Sequence, residues 1–139
     1  MTKEEAKKLA AALIKNAQTS VLSTIDPDGF PVSRAMLNIK GNSVKTIWFT
    51  TNISSQKIPQ LALNEKASVY FTLPGKFDGL LLTGTAKVFD DQKTKNDFWE
   101  KGWELYYPGG ATDPDFCMVR FDTAQARVYS KFQKIDFKP

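Results

Sequence analysis

The sequence has no histidine among its 139 residues. Catalysis by a serine or cysteine nucleophile with an imidazole base is therefore excluded, as are histidine-ligated zinc and haem sites. There is one cysteine, Cys117. It can form no disulfide within the chain and builds no thiolate metal cluster alone, so no metal site is expected. A lone cysteine without an export signal leads us to expect a reducing cytoplasm. Residues Met1–Glu5 are charged and lack the apolar run of a signal peptide. No stretch approaches the ~20 apolar residues of a membrane helix, so no membrane partner is expected. Neither G-x-G-x-x-G nor G-x-x-x-x-G-K-[ST] occurs, which argues against Rossmann and P-loop nucleotide binding. Arginine is scarce: of 19 basic residues only Arg34, Arg120 and Arg127 are arginines. The basic residues are spread along the chain, and no arginine-rich or RNP-like run suggests nucleic acid.

What remains is an ordinary globular composition, 42% hydrophobic and 24% charged, with a net charge of +4. The length fits one domain spanning residues 1–139. Ala6, Leu9, Ala10, Leu13, Ile14 and Ala17 recur at helical spacing. Thr2 with Glu5 fits a capping box ahead of them. The period then changes to that of strands. Residues 20–25 and 31–40 flank Asp26-Pro27-Asp28-Gly29, a turn with chemistry suited to a hairpin. Further strands are predicted over 44–51, 66–73, 80–89, 116–121 and 126–132. A short helix is predicted after Asn52–Ser55. A longer one, capped by Asp90 or Asp91, is predicted to run to about Tyr106. Strands follow one another through turns rather than crossover helices. The fold class is therefore mainly β with peripheral α, an antiparallel barrel or sandwich with helices outside.

The segment Thr50-Thr51-Asn52-Ile53-Ser54-Ser55-Gln56-Lys57 stands out. It places two threonines at a strand end, two serines at a helix start and a lysine in the first turn. Hydroxyls, free amides and an ammonium in one place can hold a phosphate. Equally, Ser-Ser before a helix can be a plain N-cap. Arg34 is the second candidate, because arginine suits bidentate phosphate recognition where lysine acts as a point charge. On alternation, Ala35, Leu37 and Ile39 form the better core face. Arg34 and Met36 are then expected to point away from the core.

These residues resemble a known family. The run PVSRAMLNIK…IWFTTNISSQKIPQLALNEKASVYF is similar to the pyridoxamine 5′-phosphate oxidase-like FMN-binding split barrels. Gly29, Pro31 and Arg34, then Phe49–Thr51, then Ser55 and Lys57, then Asn64 and Val69 follow that pattern. Gly84, Ala86, Asp90, Trp103, Tyr107, Pro108, Gly110, Asp113 and Pro114 resemble the general stress protein 26 branch. The resemblance covers about residues 3–130. It implies a six- to seven-stranded split barrel working as a homodimer, with FMN at the interface. By position, Arg34, Ser55 and Lys57, with Gln56 between them, are implied to hold the phosphate. Met36, Phe49, Thr50 and Thr51 are implied to lie along the ribityl chain and ring, and Trp103 near the pocket.

The sequence also departs from the oxidase. Gln56 stands where a second phosphate-binding arginine is usual, and Ile39 where a substrate-phosphate lysine is usual. The oxidase's C-terminal substrate-binding arginine and histidine have no clear counterparts. The expectation is an FMN-dependent oxidoreductase of another small molecule, with a small-molecule electron donor or acceptor and no identified catalytic acid or base. The alternative is a non-catalytic module binding flavin, deazaflavin or haem on the same barrel. Cys117 is expected to be a small buried hydrophobe. The tail 131–139 is expected to pack on a dimer partner or fray.

Overall fold

The structure, a computed structural model, describes residues 1–139. Helix α1 (Lys3–Asn16) starts at Thr2, whose hydroxyl accepts the Glu5 amide. This satisfies one of the free N–H groups of the first turn. Ala6, Ala10, Leu13 and Ile14 are buried on one face, matching the spacing in the sequence. Asn38 fastens the end of α1 by donating to the carbonyls of Ile14 and Ala17.

Strands β1 (Thr19–Ile25) and β2 (Pro31–Leu37) form the expected hairpin. In its turn the Asp26 carboxylate accepts the amides of Asp28 and Phe30, and Gly29 adopts a φ of 87°. That region is open to glycine because it has no Cβ. The chain continues through β3 (Thr46–Asn52), α2 (Lys57–Leu63), β4 (Lys66–Thr72), β5 (Gly79–Phe89), α3 (Gln92–Phe98), β6 (Phe116–Ser130) and β7 (Gln133–Phe137). All strand pairs are antiparallel. The order is β2-β1-β4-β5-β6-β3, with β7 on the second half of β6. Strands β2 and β3 are thus the two free margins of the sheet, and the barrel is split between them. Leu22, Ile47, Phe49, Val69, Phe71, Leu80, Leu82, Val119 and Phe121 fill its interior. A second apolar layer lies apart, where Trp103, Tyr107, Phe116 and Met118 pack with Ile39. The fold is mainly β, a seven-stranded antiparallel split barrel with flanking helices.

Three features differ from the sequence prediction. The first is the phase of β2: Met36 is in the core, while Ala35 and Leu37 are exposed. Register supplies the reason. Arg34 pairs with fully buried Leu22 and Met36 with buried Ser20, so that face turns inward. Strand β2 ends at Leu37. Ile39 is buried in the second apolar layer, so its burial says nothing about the strand's phase.

The second difference is α3, which ends at Phe98 rather than near Tyr106. Asp91 caps it through the Thr94 amide. Gly102, at a φ of 102°, redirects the chain into a separate 3-10 turn over Trp103–Leu105. The break lets Trp99, Trp103 and Tyr107 converge on Phe116. Third, the two predicted last strands are one continuous β6, and the tail folds back on it as β7. Arg127 grips Asp136 across that pair with Nε and Nη2.

Candidate functional site

Two of the three arginines are ion-paired: Arg120 with Asp122 and Arg127 with Asp136. Arg34 has no carboxylate partner. Its guanidinium is held by neutral oxygens instead. Nη1 donates to Thr24 Oγ1 at 2.7 Å, to the Val32 carbonyl at 3.1 Å and to the Leu22 carbonyl at 3.4 Å, and Nη2 donates to Gln60 Oε1 at 3.3 Å. Thr24 Oγ1 in turn donates to Gln60 Oε1. A guanidinium carries five N–H donors. The Nε–H and one Nη2–H of Arg34 are left without an acceptor in the chain. These are the same two nitrogens with which Arg127 grips its carboxylate.

Lys57 is the second cation of the site. It is only 7% exposed, and its ammonium donates to Thr51 Oγ1 at 2.9 Å. It too lacks a carboxylate partner. Burial holds its pKa below the ordinary lysine value, and the nearby positive charge of Arg34 lowers it further. Burial also lowers the Arg34 value. Two partly desolvated cations that feel each other and face no anion are unfavourable unless a ligand supplies the charge.

Helix α2 brings the pieces together. Lys57 and Gln60 are one turn apart and share a face. Lys57 reaches Thr51 on β3, while Gln60 reaches Thr24 on β1 and Arg34 on β2. The helix therefore bridges the two margins of the split, and the unpaired cations sit at that junction.

The other residues singled out from the sequence fall in different places. Ser55 lies in the turn before α2, where its hydroxyl donates to the Asn52 carbonyl. It does not cap the helix. The cap position is Gln56, which is exposed and makes no capping bond. Ser54 is bound by Asp115 through both its amide and its hydroxyl. With only seven residues in α2, the cradle rests on side chains rather than on a helix terminus. Thr51 is in the cradle. Thr50 faces the other side of β3 and bonds the Tyr107 hydroxyl at 2.8 Å. Phe49 and Met36 point their side chains into the core. Trp103 is buried in the second apolar layer, its ring near Trp99 and Phe116, and is not brought to the cradle. Sequence reasoning missed Thr24 and Gln60. Neither lies in a recognisable motif, and only the strand register and the seat of α2 join them to Arg34.

The arrangement can bind and orient a compact anion. A phosphate monoester matches two cations, the free Nε/Nη2 edge of Arg34 and the surrounding hydroxyls. The titratable groups that act on Lys57 are Arg34 and Cys117. Cys117 is fully buried, and burial pushes its thiol up to about 12, so it is no nucleophile at neutral pH. No group of three or more histidine, cysteine or acidic side chains is placed to hold a metal. No helix is long and apolar enough to cross a membrane.

Fold and cradle together define a split β-barrel with two unpaired cations at its open seam. The chain belongs to the pyridoxamine 5′-phosphate oxidase-like family, whose model matches residues 4–137. It is similar to a solved Clostridium acetobutylicum protein described as related to general stress protein 26 of B. subtilis and placed in the pyridoxinephosphate oxidase family. The two are 31% identical, with a TM-score of 0.90 over 99% of this chain and 96% of that one. General stress protein 26 from Bacillus anthracis shares the fold at 20% identity and a TM-score of 0.75, each chain fully covered. A haem-binding protein from Mycobacterium smegmatis also shares it, at 13% identity and a TM-score of 0.75 over 99% of this chain and 59% of that one. No match is found among curated proteins.

Proposed function

We propose that the protein is an FMN-binding flavoprotein, an oxidoreductase acting on a small molecule, with FMN held through its phosphate at the split between β2 and β3. The observation that carries this reading is that Arg34 and Lys57 are unpaired, partly desolvated cations brought together at one point. A phosphate dianion answers that imbalance. FMN supplies the electron and hydride transfer. The chain's own residues would do the rest. Arg34 and Lys57 neutralise the phosphate, Thr51 orients Lys57, and Thr24 and Gln60 orient Arg34.

The same reading includes a homodimer. Val21 and Leu37, 38% and 44% exposed, flank Ala35 on the outer face of the β1–β2 hairpin. This apolar strip lies along the β2 margin, on the face opposite Arg34, and is the surface on which a second copy would seat.

Fluorescence titration with FMN and with riboflavin, which lacks the phosphate, tests the reading. FMN is expected to bind far more tightly; equal affinities, or no binding of either, would reject it. A second reading, a flavin, deazaflavin or haem carrier without turnover, is favoured by one observation: Gln56, where the oxidase has a second phosphate-binding arginine, is neutral, exposed and makes no capping bond. Steady consumption of NADH or NADPH with small acceptors supports the oxidoreductase. A flavin-loaded protein that consumes neither supports the carrier.

A further inference from the structure

Gln60 is a neutral residue at a position where a carboxylate would be the ordinary partner of an arginine. It is only 8% exposed. Its Oε1 accepts from both Thr24 Oγ1 and Arg34 Nη2. Its oxygen is thus fully used on the protein, which fixes the orientation of the amide. The Nε2 amide makes no hydrogen bond within the chain, yet it is not sealed from solvent: the only buried side-chain polar atom without a partner is Ser20 Oγ. A residue more than nine-tenths buried thus keeps a free donor group beside two unpaired cations.

On the flavin reading above, we infer that Gln60 is the residue that makes the cradle selective for a phosphorylated ligand. It acts in two ways. Its oxygen holds the guanidinium by one edge without cancelling its charge, which leaves the Nε/Nη2 edge open to an anion. Its Nε2 offers a further donor to the same anion. A carboxylate here would satisfy Arg34 internally, as Asp136 satisfies Arg127, and the site would no longer need a ligand. Gln60 is in this sense a positioning and specificity residue.

Two variants test this. Gln60→Glu adds a partner for Arg34, so the ligand-free protein should melt no lower than wild type. Its FMN affinity should fall at least tenfold, while riboflavin affinity stays within twofold. Gln60→Leu keeps Arg34 unpaired but removes both the oxygen and the amide. It should weaken FMN several-fold, again without touching riboflavin, and it carries the test if the glutamate variant does not fold. A purely structural role would move both ligands alike, or neither.

Inorganic phosphate makes the test independent of flavin. At matched ionic strength phosphate should raise the melting temperature of wild type relative to chloride, and Gln60→Glu should lose that rise. If wild type shows the phosphate rise but no preference for FMN over riboflavin, the flavin reading fails and the role of Gln60 stands or falls on the phosphate arm. If Gln60→Glu keeps both the FMN-to-riboflavin ratio and the phosphate rise, or if wild type shows neither, the inference is overturned.

Discussion

Replacing Arg34 by methionine removes the charge and keeps most of the side-chain stem. Two donors, Nε–H and one Nη2–H, have no acceptor in the chain and are free for a ligand. Hydrogen bonds to a charged group are each worth about 1.5–3 kcal/mol. Lys57 still neutralises part of the phosphate, so the net loss should be about 2–3 kcal/mol, or roughly 30- to 150-fold in FMN affinity. Riboflavin affinity should not change. Stability should change by less than about 1 kcal/mol, because no carboxylate loses its partner and Thr24 still donates to Gln60.

A second readout follows from linkage. Lys57 has a folded pKa below its unfolded one. Between the two values the unfolded chain binds more protons, so Lys57 makes stability rise with pH across that window. Arg34 is the second cause of the depression, so this slope should flatten in the variant; comparison with wild type cancels the tyrosines and Cys117. The assays are flavin fluorescence titration and urea melts across alkaline pH. An FMN affinity within threefold of wild type, or a parallel loss of riboflavin, would show that Arg34 does not hold the phosphate.

Gly84→Ala should cost about 3 kcal/mol or more, read as a fall in the urea midpoint. Its Cβ would sit 2.0 Å from the Asp122 carbonyl oxygen at the β5 bulge, a backbone contact that cannot swing aside. Ser20→Ala should raise stability by about 1 kcal/mol, because the hydroxyl is buried without a partner; a lower melting temperature would contradict this. Cys117 should resist a thiol reagent in the native protein and react on unfolding. Its folded pKa, pushed up to about 12, exceeds the unfolded one. Its contribution to stability is therefore full below the ordinary thiol value and lost as pH rises toward about 12. Relative to Cys117→Ala, wild type should lose stability over that window.

The sequence carried the local structure well where chemistry is local. The Thr2 cap, the stripe of α1 and the Asp26–Gly29 turn could all be read from neighbouring residues. The inward face of β2 could not. Counting apolar residues favoured Ala35 and Leu37, but the pairing of Arg34 with buried Leu22 decides the phase. The aromatic spacing runs the predicted helix on past Phe98, whereas Trp99 turns extended and Gly102, at positive φ, redirects the chain into the 3-10 turn. Within the cradle, Arg34, Thr51 and Lys57 were legible because their types suit an anion. Thr24 and Gln60 were not, since residues 24, 34 and 60 meet only once β1, β2 and α2 are assembled. From sequence the tail is expected to pack on a dimer partner or fray; within the chain it is pinned as β7 by a bidentate pair that sequence spacing does not reveal.

FMN binding is tested most directly by the visible absorption spectrum of the purified protein, taken before and after FMN is added and the excess removed by gel filtration. Two flavin bands that co-elute with the protein at the size of a dimer are expected. A protein that elutes colourless after exposure to FMN would contradict FMN binding.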